Sequence, residues 1–370
     1  MFAAASFLND LGAYMVYSLW PIFVTAVIGA DMAVLGLIDG LGDALVSLSQ
    51  AASGYASDRL KRRKVFIWLG YLFGGLSRAG YAVSKTWQHL LVFRVFDRAG
   101  KMRDAPRDAI VADASRHGNR GKNFGYLQTL DRLGAVSGII ASILLFPLLG
   151  YQNLFLLAAL PSLAGAALVF ILIRERKQAK LRIYKGISFK NIDANLKLFL
   201  GLSAIFALAS FSYSFLLVYA NRFGFQAASI PVLFLLFNII ASLSSVPFGK
   251  LADKIGRKTV LAMSFALWGA TCAIFIISQS MLAIIAAFIA YGLNQGAFLP
   301  VQKAFVSELA PKRFRASVLG GYQMVVGLCA LPSSVLAGLL WDSAGMFAPL
   351  YFSLALTVIA AALLLFVKEK

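Results

Sequence analysis

Charge is scarce in this sequence. Only 14% of its 370 residues are charged, 60% are hydrophobic and the mean hydropathy is +0.77, whereas an average soluble domain carries about 25% charged residues. A soluble core cannot hide this much apolar surface. The composition therefore excludes an ordinary soluble protein and indicates an integral membrane protein.

Cysteine and histidine are also nearly absent, with two residues of each. Cys272 and Cys329 lie far apart in apolar runs, so the sequence offers neither a disulfide framework nor a metal-ligand spacing. No glycine-rich phosphate-binding motif occurs, which argues against an ATP-driven pump. We accordingly predict no metal, no cofactor and no catalytic residues.

Long hydrophobic runs dominate what is present. They have about 20 residues each, which is the length of a membrane-spanning helix, and not the alternating pattern of a barrel. A polar stretch divides them six and six, giving a bundle at 1–173, a linker at 174–195 and a bundle at 196–370. The twelve predicted spans are 4–28, 33–56, 65–84, 88–110, 122–149, 152–173, 196–220, 228–252, 259–279, 281–307, 317–341 and 347–367.

The positive charge is concentrated in alternate loops. The net charge is +19, and these loops with the C-terminal tail hold 29 of the 35 Lys and Arg residues. Because basic loops remain in the cytoplasm, we expect a multi-pass plasma-membrane protein with both termini and the linker cytoplasmic. This distribution accounts for the charge without nucleic acid. The expected partners are the lipid bilayer, a small solute and protons, and the chain is expected to act as a monomer.

A charged loop motif occurs twice, as GYASDRLKRRK at 54–64 and as GKLADKIGRK at 249–258. The two copies align at an offset of 195 residues, and the alignment continues without a gap as far as residue 128. The offset pairs Gly54, Asp58 and Arg62 with Gly249, Asp253 and Arg257. We infer two parallel six-helix repeats, and substrate sites in proteins of this kind lie between the repeats near the bilayer midplane.

This arrangement, with G-x-x-x-D-R-x-x-R-R after the second segment, resembles the major facilitator superfamily over essentially the whole chain. The string RVFDRAGKMRDAPRDAIVAD at 94–113 is similar to the fourth helix of a prokaryotic subgroup that reads roughly DRxGKGxRxxPRDAxxAD. The resemblance implies an all-α membrane fold of twelve helices and loops that latch the two halves in one state. The gating residues assigned on this basis are Gly54, Asp58, Arg59, Arg62, Arg63, Gly249, Asp253, Arg257, Arg107 and Asp108.

Ionisable side chains inside the predicted spans are costly and therefore mark functional candidates. At the same offset, the second half replaces them with uncharged residues, for example Asp39 with Phe234 and Arg94 with Ile289. Chemistry specific to the first half explains this difference better than a shared packing requirement. The nine residues, all in the first half, are Asp10, Asp39, Asp43, Arg78, Arg94, Asp97, Arg98, Asp131 and Arg132.

Helical spacing places Asp10 on one face of the first segment and Arg94 on one face of the fourth. In the resembling fold these helices line the central cavity, so Asp10 and Arg94 are the first candidates for coupling or substrate binding. The predicted substrate and coupling residues are Asp10, Tyr14, Tyr17, Arg94, Asp97, Arg98, Asp131, Arg132, Tyr213, Asn294 and Gln295. For the last three, interhelical hydrogen bonding is the alternative role. A structural or gating role is favoured for Asp39, Asp43, Arg103, Arg107 and Asp108.

The membrane charges, four Arg and five Asp, sum to −1. A carboxylate without an arginine partner can carry a proton, and we expect Asp10, or else Asp131, to couple transport to protons. The predicted function is secondary active transport of a small solute by alternating access. The alternative is a membrane-embedded lipid-modifying enzyme that uses the Asp and Arg residues of the fourth segment. The charges fit a zwitterion, an anion or a cation.

Overall fold

The computed structural model describes residues 1–60, 62–114, 120–173, 193–311 and 315–369. The side chains of 58, 112–114, 120–122, 124 and 315–317 are not among those described. Most of the predicted linker, 174–192, lies outside the described residues. Every element of the described ranges is helical, as the apolar runs predict.

The helices follow the apolar segments. Short π-helical and 3₁₀ pieces occur at Phe23–Val27, Gly100–Arg103 and Ala227–Ser229. The α-helices are α1 (Phe2–Tyr17), α2 (Trp20–Ile22), α3 (Met32–Leu60), α4 (Arg63–Val83), α5 (Trp87–Ala99), α6 (Asp104–Ala114), α7 (Arg120–Leu172), α8 (Ala194–Ala209), α9 (Tyr213–Arg222), α10 (Ile230–Ile255), α11 (Arg257–Ile277), α12 (Met281–Leu309), α13 (Arg315–Ala344) and α14 (Ala348–Phe366).

Twelve spans can be counted along the described ranges. Eight helical stretches are long and apolar enough to cross a bilayer, and the bent pair Phe2–Tyr17 with Trp20–Val27 makes a ninth. One of the eight, α7, breaks at Gly150, where φ is 67° and ψ is −173°, so it supplies two spans. The remaining two are α4, which carries three basic residues, and α5 with α6, which together occupy the fourth predicted segment.

Three predicted spans are interrupted where a continuous helix was expected. The first bends between α1 and α2, the fourth passes through the 3₁₀ turn Gly100–Arg103, and the seventh is broken between α8 and α9. Hydropathy averaged over a span does not reveal where the helix breaks within it. The breaks matter here because each one lies beside buried polar side chains.

The chain forms two compact units that differ slightly from the predicted bundles. The first residues of α3, as far as Gly40, group with the second unit, and a short stretch that includes the start of α10 groups with the first. The first unit comprises Met1–Ala30, Leu41–Ile183 and Ala227–Val232, and the second comprises Asp31–Gly40, Tyr184–Gln226 and Leu233–Lys370.

In the first unit, α1 packs along α7 at backbone distance. A Cβ added to Gly134 would lie 2.5 Å from the Phe7 carbonyl oxygen, and one added to Gly165 would lie 2.8 Å from that of Ala5. These glycines let the two helices approach closely, as small residues do in membrane bundles. The close approach brings the polar face of α1 against the charged residues of α5 and α6.

Gly134→Ala should therefore destabilise the protein by about 1–3 kcal/mol, because the new methyl group overpacks the α1–α7 contact. Gly125→Ala is the matched control in the same helix, since a Cβ there meets nothing within 4 Å. The measurement is the melting temperature in detergent. Equal stability of the two variants would mean that α1 and α7 do not approach this closely.

In the second unit, aromatic stacking and one hydrogen-bond chain connect the core helices. The Phe206 and Phe265 rings stack with their centroids 4.0 Å apart. Trp268 Nε1 donates to Ser353 Oγ (2.8 Å), and Ser353 Oγ donates to the Ala209 carbonyl (2.6 Å). This chain joins α11, α14 and the end of α8 just before the break in the seventh span.

Candidate functional site

The first span bends by 43° between α1 and α2. Ser18 lies at the bend, with its Oγ 3.2 Å from the Met15 carbonyl and 2.9 Å from Ser142 Oγ. Pro21 follows and lacks a backbone N–H, which prevents regular helical bonding, and the chain continues as a π-helix. The bend separates Tyr17 from Trp20, and both side chains contact buried charges.

The seventh span is broken at the corresponding position. It leaves helical geometry after Ala209 and resumes at Tyr213, where Ser212 caps α9 by accepting from the Ser214 N–H (3.3 Å). The 195-residue offset pairs Tyr17 with Ser212. Interrupted helices at matching positions of two repeats are characteristic of transporter binding sites.

A buried ionic cluster surrounds Asp97, whose exposed fraction is 3%. Asp97 accepts a hydrogen bond from the Tyr17 hydroxyl (2.6 Å) and faces Arg78 at 3.8 Å. The Arg94 guanidinium lies over the Trp20 ring at 4.5 Å, and that of Arg98 lies over the Tyr17 ring at 4.8 Å. We refer to these six residues, Tyr17, Trp20, Arg78, Arg94, Asp97 and Arg98, as the Asp97 cluster.

A second ionic cluster is richer in carboxylates. Arg107 contacts Asp108 at 3.0 Å, Asp104 at 3.7 Å and Asp131 at 3.8 Å. Arg103 contacts Asp104 at 3.6 Å and Asp10 at 3.9 Å. We refer to these six residues, Asp10, Arg103, Asp104, Arg107, Asp108 and Asp131, as the Arg107 cluster. Four carboxylates against two guanidiniums give it a formal charge of −2, and Lys101, which acts electrostatically on Asp104, reduces this to −1.

The side-chain amide of Asn9 connects the two clusters. Asn9 is 1% exposed; its Oδ1 accepts from Arg78 Nη1 at 3.2 Å and its Nδ2 donates to Asp10 Oδ1 at 3.0 Å. Because an amide both donates and accepts, it satisfies a guanidinium on one side and a carboxylate on the other. The result is a continuous polar path through the first unit.

The 3₁₀ turn Gly100–Arg103 brings the Arg107 cluster together. A 3₁₀ helix has three residues per turn and an α-helix has 3.6, so the side chains that follow this turn face a different direction from those that a continuous α5 would present. Arg103 and Arg107 consequently become buried, with Arg103 Nη1 donating to the Gly100 carbonyl at 3.0 Å. Gly70 of α4 makes room, since a Cβ there would lie 2.5 Å from that same carbonyl oxygen.

The structure separates the two leading sequence candidates. Asp10 belongs to the Arg107 cluster and Arg94 to the Asp97 cluster, with Asn9 between them. Tyr14 lies between these groups, with its ring 5.8 Å from that of Tyr17, and both Asp10 and Arg132 are close enough to act on it electrostatically. Asp10 lies 3.9 Å from Arg103, a guanidinium that it shares with Asp104.

In the second unit, Tyr213 packs against Phe234 and Phe237 at ring distances of 5.2 and 6.2 Å. Asn294 is 2% exposed and donates to the Ser264 carbonyl (2.8 Å), while Gln295 donates to the Asn294 amide oxygen (3.2 Å). Asn294 therefore makes the interhelical contact that was the alternative reading of these residues.

Asp39 lies at the break in the seventh span. It is 1% exposed and accepts hydrogen bonds from the hydroxyls of Ser212, at 2.9 Å, and Ser214. Each broken span thus places a hydroxyl on a buried aspartate, Tyr17 on Asp97 in one unit and Ser212 on Asp39 in the other.

The two loop motifs are described to different extents. In the first copy, Arg63 is buried, Arg59 and Arg62 are exposed, Ser57 Oγ contacts the Gly54 carbonyl at 3.1 Å, and the Asp58 side chain lies outside the described part. In the second copy, which begins near Gly249, Arg257 pairs with Asp253 at 3.5 Å and with Glu308. The sequence offset pairs Glu308 with Asp113, so both repeats have an acidic residue at this position.

Sequence reasoning did not assign a role to Asn9, Trp20 or Asp104 and placed Arg103 outside the coupling site. Asn9 and Trp20 gave a usable signal, because they flank Asp10 and Pro21 in the same segment. Arg103 and Asp104 gave none, because their position depends on the 3₁₀ turn.

Comparison with known proteins identifies the family. The family model described as Major Facilitator Superfamily matches residues 2–241 and 198–370. The chain belongs to this superfamily. An uncharacterized MFS-type transporter of Methanocaldococcus jannaschii is 35% identical over 98% of this chain and 92% of its own length. The inner membrane transport protein YajR of Escherichia coli is 24% identical over 85% of this chain and 71% of its own length.

Solved structures agree with the superfamily fold. The nucleoside transporter NupG superposes with a TM-score of 0.80 over 98% of this chain and 96% of its own, at 15% identity. A bacterial homolog of the human lysosomal transporter Spinster, in an inward-facing and occupied conformation, gives 0.77 over 99% and 94%, at 14% identity. This chain of the superfamily is a multi-pass transmembrane transporter of a small molecule, and the alternative of a lipid-modifying enzyme is set aside.

Proposed function

We propose that the protein is a proton-coupled secondary active transporter that moves a small solute bearing an anionic group by alternating access. The observation that carries this proposal is the matched interruption of the first and seventh spans, each beside a buried aspartate. Transporters of this kind place substrate groups at such interruptions, where backbone and side-chain polar groups line a cavity.

The anionic group is inferred from Arg94 and Arg98. The two residues are 1% and 8% exposed, and their guanidiniums lie on the faces of Trp20 and Tyr17. Aromatic faces hold a guanidinium in a fixed plane, and a planar guanidinium recognises carboxylate or phosphate with two parallel hydrogen bonds. The nucleoside named for NupG is not carried over, since 15% identity concerns the fold alone.

Proton coupling is assigned to the Arg107 cluster. Its carboxylates outnumber its guanidiniums, and uptake of a proton relieves repulsion between like charges. Asp10 and Asp131 are the candidates, with side chains 14% and 26% exposed, and are thus accessible to a proton while remaining in the polar path. Among the described side chains, Asp131 Oδ1 has no hydrogen-bond partner.

The remaining features complete this proposal. The two loop motifs serve as gates, each with an Asp and an Arg and an acidic partner at Asp113 or Glu308. The positive charge of the loops supports cytoplasmic termini and a plasma-membrane location. The duplicated bundle within one chain supports a monomer as the working unit.

A thermal-shift screen on the purified protein tests the substrate class. Each carboxylate or phosphate solute is paired with its uncharged amide or alcohol analogue, and stabilisation is expected only from the anion. In Arg94→Gln the affinity for the selected anion should fall by a factor on the order of 10–100, since hydrogen bonds to charged groups contribute about 1.5–3 kcal/mol. Arg94→Lys should retain part of this affinity.

Arg222→Gln is the matched control, because Arg222 is an exposed arginine at the end of α9 and belongs to neither cluster nor loop motif. It should bind the same anion as the parent protein does. Stabilisation by cations alone, or equal stabilisation by an anion and its neutral analogue, would contradict the proposed substrate class. Flux of the selected anion into proteoliposomes without chemical change then tests the transport itself.

A further inference from the structure

A carboxylate that follows the last helix caps the helix that begins in the second loop motif. Glu369 accepts from the backbone N–H groups of Arg257 and Lys258, the latter at 3.2 Å. These N–H groups belong to the first turn of α11 and have no acceptor within the helix. A negative charge there also complements the helix dipole.

The backbone at Gly256 makes room for this cap. Its φ is 96°, a conformation suited to glycine, and a Cβ on Gly256 would lie 2.8 Å from a Glu369 carboxylate oxygen. Gly256 is the glycine of the second loop motif, so the cap explains why a glycine occupies this position.

The contact is reciprocal. Lys258 Nζ donates to the carbonyls of Leu365 (2.6 Å) and Val367 (3.0 Å), where α14 ends. Terminal carbonyls of a helix lack partners within it and favour a cation. The two helices therefore cap each other. Glu369, which follows α14, caps the start of α11, and Lys258 of α11 supplies the cation at the end of α14.

A third helix joins through Asn195, near the start of α8. Its Nδ2 donates to the Lys368 carbonyl at 2.7 Å, and its Oδ1 accepts from the Lys368 N–H at 2.8 Å. Val367–Glu369, which we call the clasp, thus connects the ends of three helices of the second unit. Asn195 is also the last residue of the predicted linker.

The capped residue is Arg257 of the second loop motif. Its guanidinium pairs with Glu308 at the end of α12 and with Asp253 at 3.5 Å. The side chain is 28% exposed, so the ion pair alone fixes its position weakly. The hydrogen bond from its backbone N–H to Glu369 restrains the backbone at Arg257, which the side-chain ion pair does not do.

We propose that Glu369 is a positioning residue for the gate, and that it holds Arg257 against Glu308 by capping α11. The clasp makes the second loop motif move with α8, α12 and α14 rather than independently. This inference rests on the gating role proposed above for the loop motifs. Its test, however, needs no solute and gives an answer even if that gating role is wrong.

The first test is a double-mutant cycle on Arg257→Gln and Glu308→Gln, measured by reversible unfolding in mixed micelles. In the parent protein the two residues should be coupled by about two- to fivefold in the unfolding equilibrium constant. In the Glu369→Gln background the coupling factor should fall close to one, and Glu369→Asp should restore part of it. A purely additive loss of stability with unchanged coupling would overturn the proposal.

The second test is hydrogen–deuterium exchange of the protein in nanodiscs. Glu369→Gln should raise the exchange of the amides at 257–260 by about tenfold, and exchange at 305–309 around Glu308 should rise with it. Lys368→Gln is the matched control, since it changes an exposed charge in the clasp and leaves the backbone bonds to Asn195 intact. Faster exchange at 257–260 with unchanged exchange at 305–309 would reduce Glu369 to a local cap and overturn its positioning role.

Discussion

Replacing Asp97 with alanine is expected to lower the free energy of unfolding by about 3–5 kcal/mol, the cost of removing one partner from a buried ion pair. Asp97 is 3% exposed, pairs with Arg78 and accepts from the Tyr17 hydroxyl. Arg94 and Arg98 also act on it electrostatically. Without this carboxylate, guanidiniums in an apolar bundle lose their shared counter-charge.

The measurement is unfolding in detergent, with Asp108→Ala as the matched control. Asp108 is 46% exposed, so its removal should cost no more than about 1 kcal/mol, although it also pairs with an arginine. Asp97→Asn keeps the shape and an acceptor for Tyr17 but lacks the charge, and it should be nearly as unstable as the alanine variant. If Asp97→Asn were as stable as the parent protein, the charge of Asp97 would not be what stabilises this cluster.

Asp10→Asn is expected to abolish accumulation of solute driven by a proton gradient. Asp10 shares Arg103 with Asp104 and receives a hydrogen bond from Asn9, so it lies where the Arg107 cluster meets the polar path. An asparagine there can still make hydrogen bonds but cannot carry a proton. Counterflow, in which internal solute exchanges for external solute without a gradient, should persist.

Proteoliposomes loaded with the solute selected by the thermal-shift screen provide both assays. Asp131→Asn tests the other candidate, and Asp193→Asn serves as the control, because Asp193 is exposed and lies outside both clusters. Gradient-driven accumulation that survives in both Asp10→Asn and Asp131→Asn would exclude the two carboxylates as coupling residues. Loss of counterflow together with accumulation would instead place the altered residue in solute binding.

Sequence periodicity predicted the large-scale architecture because the membrane imposes it. A span needs about 20 apolar residues, and Arg222 or Lys85 between spans is easily recognised. The membrane charges were also evident, since Asp97 and Arg94 are costly in such a run and must have a reason to be there. The all-helical fold followed from these features and the family resemblance from the duplicated loop motif, and both are confirmed by the comparisons.

The sequence did not reveal which of those charged residues contact each other. Regular helical spacing from Arg94 leads to Arg98 and Lys101, and the structure buries Arg103 and Arg107 as well. The difference arises from one 3₁₀ turn, which Gly70 of another helix accommodates. A charge count over the first six predicted spans therefore named Asp10 but could not assign it to Arg103.

Asn9 has one further consequence. An amide does not titrate in the range where carboxylates do, so it passes no proton even though it contacts Arg78 and Asp10 at once. Asn9 therefore keeps the hydrogen-bonded path between the two clusters continuous but does not relay protons along it. Under the proposed coupling at Asp10, a proton taken up there is not passed through Asn9 to Asp97, and Asp97 keeps the charge that pairs with Arg78.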